Sequence, residues 1–323
     1  MTDNQTLSTD SLTINNSQHL HCAQAQVFKI YNYAPYRPGP FKMTMDLQRL
    51  DLADWIEIDA SFPAELAERR RLLTERHADV FAALPEALPG STETLTLLVE
   101  HLLTYFPDIF QMDGSCLRNR ATGEAWNLAD NNLHPLELAG RLVQEDLCLM
   151  GQDSDTGFYK LTAACLCFPS HWRLAEKMGK PLGAIHTDVP HYENSIGTPM
   201  NKLFDRLKVD KPIWRLNWSV VDDPALFQPR RRPRQVEITA QNAGDLLWLR
   251  IERQTLRRLP HSGDILFTIR IHNNPLSSLA GQPERAAQLA TALRGLDAEM
   301  RSYKDIEPIL EQAVGWLEDV SSH

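Results

Sequence analysis

Apolar positions recur at helical spacing in two stretches near the start of the chain. Over residues 63–84, Leu66, Leu73, Val80 and Leu84 fall on one stripe. Over 92–106, Leu95, Leu98, Val99, Leu102 and Phe106 do the same. Both patterns predict amphipathic helices packed on something larger. A third helix is expected over 135–147, because Pro135 sits in a first turn, where its missing N–H is not needed. Ahead of them Tyr36-Arg37-Pro38-Gly39-Pro40-Phe41 must run extended.

The periodicity then shortens. Residues 158–168 form a largely apolar run. The turn formers Gly151 to Gly157 precede it, so it is expected to pair back onto 147–150. A short helix from Ser170 should end near Gly179, and another should start at Thr198-Pro199 with Met200, Leu203, Phe204 and Leu207 on one side. Three alternating segments follow. In 213–221, Trp214, Leu216, Trp218 and Val220 share one face and Arg215, Asn217 and Ser219 the other. In 246–256, Leu247, Leu249 and Ile251 alternate with Trp248, Arg250 and Glu252. In 265–271, Ile265, Phe267, Ile269 and Ile271 alternate with Leu266, Thr268 and Arg270. Pro260-His261-Ser262-Gly263 joins the last two as a hairpin. Two helices close the chain, one aligning Leu289, Leu293, Leu296 and Met300, the other over 306–317.

Helices, then an antiparallel sheet interleaved with helices, then helices again: this order predicts an α+β fold rather than an alternating parallel sheet. Residues 25–323 are expected to make a single domain. Residues 1–24, polar and rich in Asn, Ser, Thr and Gln, are expected to be a disordered tail without the apolar core of a signal peptide.

A net charge of −9 argues against nucleic acid as the main partner. No apolar run approaches the ~20 residues of a membrane span. Five cysteines, an odd number without paired C-x-x-C spacing, fit no zinc site of that kind. Cys165 and Cys167 lie in an apolar run and read as buried thiols. A reducing cytoplasm is the expected location. The one biased stretch, Arg230-Arg231-Arg232-Pro233-Arg234, reads as a solvated loop, with docking to an acidic partner or to propionates as the sharper alternative.

Candidate chemistry concentrates in Ile185-His186-Thr187-Asp188-Val189-Pro190-His191-Tyr192. Pro190 disfavours a continuous helix, so these side chains should come from a loop. A histidine here can bind haem iron through one ring nitrogen while the other is held by a carbonyl or carboxylate. The spacing also admits a non-haem iron site of His186, Asp188 and His261, with Arg270 holding an oxoacid cosubstrate, although His261 falls in a hairpin turn where a rigid ligand is less expected. Taken singly, each histidine is more often structural than a ligand. His77 and His101, inside helices, are expected to be surface or partly packed, and His171 to cap a helix. Arg215 suits a carboxylate such as a propionate, because its fork donates two bonds. Asn217 can donate or accept near a bound ligand. Glu252, and Arg250 beside it, could equally be the solvated polar side of a sheet, but a carboxylate in a pocket suits a cationic amine. Glycine-rich phosphate loops, G-x-S-x-G and C-x-x-C-H are all missing, so any haem is non-covalent.

Several segments, in this order, resemble the haem-dependent oxidative N-demethylase family, also described as the catalytic subunit of dimethylamine monooxygenase. They are Pro35-Tyr36-Arg37-Pro38-Gly39-Pro40-Phe41, Leu142-Val143-Gln144-Glu145-Asp146-Leu147, Cys167-Phe168-Pro169-Ser170-His171-Trp172, Ile185 through Tyr192, Arg215-Leu216-Asn217-Trp218 and Glu252-Arg253-Gln254-Thr255-Leu256. The resemblance spans roughly residues 30 to 300. It implies a PAS-like antiparallel sheet holding haem b, with N-terminal and C-terminal helices around it. It implies oxidation of a secondary methylamine such as dimethylamine, with oxygen, to a primary amine and formaldehyde. Electrons would come from separate reductase subunits carrying flavin and an iron–sulfur cluster. By the same resemblance the axial ligand is His186, with His191, which departs from the small residue of the family's pattern, as the alternative. From the residues' own chemistry, Arg215 and Trp218 are expected to line the cofactor, and Asn217, Tyr192 and Glu252 the reacting substrate. A haem-binding sensor or assembly module without turnover remains the other class of function.

Overall fold

The computed structural model describes residue 29, residues 31–130 and residues 132–322. The segment 1–24 expected to be disordered lies outside them. In the first half the elements are β1 (Gln48–Arg49), α1 (Phe62–Glu75), α2 (His77–Val80), β2 (Phe81–Ala83), α3 (Leu88–Tyr105), β3 (Phe110–Asp113), β4 (Cys116–Asn119), β5 (Ala125–Asn127) and α4 (Pro135–Leu142). Then come β6 (Asp146–Gln152), β7 (Tyr159–Cys165), α5 (Leu174–Lys177), α6 (Leu182–Ile185), a π-helical turn (Glu193–Gly197), α7 (Thr198–Arg206) and β8 (Ile213–Val221). The chain finishes with α8 (Ala243–Leu246), β9 (Trp248–Arg258), β10 (Ile265–Pro275), α9 (Pro283–Arg294), α10 (Ala298–Tyr303) and α11 (Leu310–Ser321).

Seven strands form one antiparallel sheet in the order β1-β8-β9-β10-β6-β7-β2, and β3-β4-β5 form a separate small sheet. The fold is α+β, as the sequence pattern predicts. β9 and β10 form the expected hairpin through 260–263, and β6 pairs with β7. One face of the large sheet packs against two helical groups. Leu147, Leu149 and Leu266 meet α1, α3 and α4 through Leu66, Leu98, Leu102 and Leu136. Val220, Leu249 and Ile251 meet Leu289, Leu293, Val314 and Leu317 of the C-terminal helices. The opposite face, with Met150, Leu161, Leu256 and Ile265, is covered by Leu174, Leu182, Met200 and Phe204 from the segment between β7 and β8.

Four expected helices are shorter than their patterns. The one expected from Ser170 to Gly179 is only the single turn of α5, because Ser170 bridges to Gln228 and Arg173 is extended. The helix predicted over 63–84 ends at Glu75, where Arg76 leaves helical geometry at φ −136°, ψ 34°. After the turn of α2, residues 81–83 join the sheet on β7. The apolar run from Val80 to Leu84 satisfies a helix or a strand equally, and the free edge of β7 decides. The helix predicted over 135–147 stops at Leu142, and residues from 146 become a central strand. The stripe Leu289 to Met300 spans two helices, α9 and α10. They break at Gly295, whose carbonyl accepts from the Phe41 N–H at 2.8 Å. A Cβ on Gly295 would stand 2.0 Å from the Gly39 carbonyl oxygen, so the N-terminal segment crosses where only glycine fits.

Between the two helical groups lies a belt of buried charge. Arg270 donates to Asp59 Oδ2 and Glu65 Oε2, each at 2.7 Å, and is 1% exposed. Arg253 pairs with Glu57 at 3.1 Å, and His272 Nε2 meets the other Glu57 oxygen at 2.8 Å. Glu145 accepts from the Glu57 N–H at 2.9 Å, while its Oε2 has no partner among the described residues. Arg270 is therefore consumed inside the core and does not anchor an oxoacid cosubstrate. Arg250 is likewise structural: it donates to Ser170 Oγ and to the carbonyls of Phe168, Ala225 and Leu226.

Burial pushes the Glu145 carboxyl up to about 7. Its folded value lies above its unfolded one, so the folded state binds more protons between the two, and stability falls as pH rises through that window. Glu145→Gln keeps the acceptor for the Glu57 N–H without the buried charge. Urea midpoints should match wild type near pH 4 and exceed it increasingly towards pH 8. A gap that stays constant across that range would place the proton elsewhere.

Candidate functional site

The segment between β7 and β8 brings His186 to the sheet. α6 is a single turn, and the His186 N–H closes it on the Leu182 carbonyl at 3.1 Å. The ring then turns back so that Nδ1 meets the same carbonyl at 2.9 Å. A carbonyl only accepts, so Nδ1 carries the proton and Nε2 is left as the lone-pair nitrogen. Among the described residues nothing donates to it. Burial, with the Lys177 and Arg215 charges adding to it, lowers the His186 pKa, so the ring is neutral at pH 7. Lys177 fixes the loop from outside, donating to the Ile185 carbonyl at 2.8 Å and pairing with Asp188 at 3.4 Å.

Tyr192 lies flat on His186, with ring centroids 4.4 Å apart and planes 7° from parallel. Its hydroxyl is buried without a partner among the described residues, and desolvation pushes its pKa up to about 12. The phenol thus stays protonated. The chain passes Pro190 and enters the π-helical turn before α7, an irregularity typical of functional segments.

The antiparallel register sets the sheet side of the site. Asn217 stands opposite Glu252 and Arg215 opposite Gln254, so these four side chains share one face. Glu252 Oε2 accepts from Asn217 Nδ2 at 3.2 Å and from Gln254 Nε2 at 2.9 Å. No side chain or backbone group among the described residues bonds Oε1, and Glu252 has no ion pair there. Arg215 is similarly alone: its Nε is buried without an acceptor, and no carboxylate pairs with it among the described residues. Desolvation lowers its pKa, partly countered by the fields of Glu252 and Asp46.

Other expected residues go elsewhere. His191 has φ +63°, a backbone conformation that favours glycine. Its Nε2 meets Asp297 Oδ2 at 2.9 Å at the start of α10. Trp218 faces the opposite side of β8, edge-on to Tyr36 at 6.0 Å and packed with the C-terminal helices. His261 sits exposed in the β9–β10 turn, its N–H bound to Glu93 of α3 at 2.7 Å. Among the described residues no three His, Cys, Asp or Glu side chains gather as a metal site, so His186, Asp188 and His261 do not form one. His101 is buried against Trp55 rather than partly packed, and desolvation lowers its pKa to about 4. His77 pairs with Glu137. His171 caps no helix; its N–H joins the Gln228 carbonyl. Cys165 and Cys167 are buried free thiols, as expected.

Two groups here carry no sequence signal of their own, Gln254 and Lys304. Gln254 is visible only as the residue two on from Glu252, hence on its face. Lys304, just after α10, wraps the open edge of β8 and donates to Asn217 Oδ1 at 3.3 Å and to the Trp218 carbonyl. An open cleft of about 650 Å³ lies between Thr187, Asp188, Val189 and Pro190 and the Glu299, Ser302 and Tyr303 side of α10. The Tyr303 phenol is pushed up to about 12 by desolvation and then by the Glu252 and Asp188 carboxylates, which ties the cleft to the same charges. The arginine-rich loop borders it. Arg231 pairs with Asp305, and Arg234 with Asp222 and Asp305, so these two are anchored rather than solvated.

No helix among the described residues is long and apolar enough to cross a membrane. A family model described as haem-dependent oxidative N-demethylase, alpha subunit-like, matches residues 46–314. That stretch runs from β1 into α11 and contains every side chain of the His186–Arg215–Glu252 face. The chain belongs to the haem-dependent oxidative N-demethylase, alpha subunit-like family.

Proposed function

We propose that the chain is the haem-binding catalytic subunit of an oxygen-dependent amine N-demethylase acting on a small secondary methylamine such as dimethylamine. One observation carries this reading: a neutral imidazole with an unused Nε2 and a buried guanidinium without a counter-ion stand beside a carboxylate with a free oxygen. A haem b fits that donor set, held non-covalently. His186 Nε2 would take the iron, its tautomer set by the Leu182 carbonyl and its ring held by Tyr192. Arg215 would receive a propionate, whose charge replaces its missing partner. Trp218, turned to the other side of β8, supports the strand and not the porphyrin. Residues 25–323 act in this reading as one haem-binding unit.

When bound, haem supplies the oxygen activation and one-electron chemistry that no side chain can. The balance is a secondary methylamine, oxygen, two electrons and two protons giving the primary amine, formaldehyde and water. The electrons come from partner subunits carrying flavin and iron–sulfur centres, consistent with the alpha-subunit name of the family. The protein's own part is to bind, orient and deprotonate the substrate. Glu252 Oε1 pairs with the ammonium and takes its proton, so that the neutral amine lone pair becomes available. Tyr192, kept protonated by burial, cannot be that base and instead offers a donor. Asn217 and Gln254 hold the Glu252 carboxylate in place through Oε2.

Two outcomes test this. The purified protein should show a Soret band and, with an electron-donating reductase, release formaldehyde from dimethylamine. Glu252→Gln should retain haem and lower kcat/KM for the amine by roughly 10- to 100-fold, the loss of a charged hydrogen bond. Haem without formaldehyde in the reconstituted system would make the chain a non-catalytic haem module.

Ligation is read separately by spectrum. His186→Ala should abolish the histidine-ligated spectrum, whereas His191→Ala should keep it, and Arg215→Ala should lower haem occupancy while the fold persists. Retention of the ligated spectrum in His186→Ala and its loss in His191→Ala would move the iron to the other side of Pro190.

A further inference from the structure

Asn217 sits between two groups of opposite hydrogen-bonding character. The Lys304 ammonium only donates and the Glu252 carboxylate only accepts. An amide between them has one satisfied orientation, Oδ1 towards Lys304 at 3.3 Å and Nδ2 towards Glu252 at 3.2 Å. Lys304 is itself fixed. Its Nζ also bonds the Trp218 carbonyl at the unpaired edge of β8 and lies 5.6 Å from the centre of the Trp218 ring, while its own carbonyl accepts from Ser219 Oγ at 3.3 Å. The charged groups in its field are Glu252 of β9 and Arg215 of β8.

We infer that Lys304 is a positioning residue for Glu252: by fixing the Asn217 amide it commits Oε2 to the protein and leaves Oε1 for the amine. This rests on the reading of Glu252 as the anchor of the substrate ammonium. Without the Lys304 head group the amide loses one of its two constraints, and the carboxylate can rotate to present either oxygen or neither. Lys304 touches no reacting atom, so its influence falls on substrate binding rather than on haem.

Desolvation by its surroundings lowers the Lys304 pKa to about 8. A change in its charge therefore falls within an accessible pH range, and the coupling can be followed without any substitution.

The test uses the haem-loaded protein labelled with 15N at asparagine, with the Asn217 side-chain amide signal assigned from its loss in Asn217→Ser. In wild type that signal should move as pH passes through about 8. In Lys304→Arg, which keeps a charged donor, it should stay near its wild-type position and not move there. In Lys304→Met it should shift towards the signals of exposed asparagines. Dimethylammonium binding, measured by calorimetry under nitrogen, should weaken about tenfold in Lys304→Met and much less in Lys304→Arg. An unmoved amide signal in Lys304→Met, or a moved signal with unchanged affinity, would overturn the inference and leave Lys304 as a plug for the sheet edge. If Lys304→Met does not fold, the wild-type pH titration decides: no movement near that pH overturns the inference. If Glu252→Gln binds dimethylammonium as wild type does, the anchor reading itself fails, whatever the amide signal reports.

Discussion

Asn217 and Glu252 face each other across β8 and β9, and that pairing governs everything around it. Side chains alternate along a strand, so one register decision assigns each polar group to a side. Arg215, Asn217, Glu252 and Gln254 go to the face covered by the His186 segment. Arg253, Arg270 and His272 go to the other, where Glu57, Asp59 and Glu65 wait. A slip of one residue would carry the Glu252 carboxylate into the ion belt and the belt's arginines to the opposite face. The belt therefore protects the register. Breaking a buried, hydrogen-bonded ion pair by removing one partner costs about 3–5 kcal/mol, and a slip would break several at once.

The two faces illustrate different uses of buried charge. Within the belt, cations and carboxylates pair with one another, and Glu145 Oε2 and the Nε groups of Arg253 and Arg270 are what is left without a hydrogen-bond partner among the described residues. On the pocket face, satisfaction is incomplete at four places among the described residues: His186 Nε2, the Tyr192 hydroxyl, the Arg215 guanidinium and Glu252 Oε1. Each is a group whose desolvation is unfavourable until something binds. Stability alone would not preserve such an arrangement. The same residue types thus read as structure or as function according to whether their partners are already present.

Much of this was legible in the chain. Period-two alternation locates β8, β9 and β10, and it places Arg215 with Asn217 before any coordinates exist. The concentration of His186, Asp188, His191 and Tyr192 around Pro190 marks the loop. Other features were illegible for physical reasons. The run Val80 to Leu84 is apolar enough for a helix or an edge strand, and only the open side of β7 settles it. Gln144, Glu145 and Asp146 look like a polar helix end, yet all three side chains are buried and bonded. Their partners lie far away in sequence, beyond the reach of any local pattern. Lys304 is the extreme case: nothing in Ser302-Tyr303-Lys304-Asp305 distinguishes it, and its role arises from reaching around a sheet edge.

Under the proposed function, charge balance links the cofactor to the substrate. Arg215 and Lys304 bring two positive charges to the neighbourhood of one Glu252 carboxylate, and desolvation lowers the pKa of both cations. An ammonium entering that field alone would meet net repulsion. In the proposed reading a haem propionate on Arg215 would remove one positive charge from the balance, leaving Lys304, which favours the amine by positioning Glu252 and opposes it only through its charge. In this reading the cofactor's acidic edge conditions the pocket electrostatically as well as supplying its chemistry, and amine affinity follows haem loading. The neutral imidazole adds no charge to the balance, which is why the carbonyl bond that fixes the His186 tautomer matters as much as the nitrogen it leaves free.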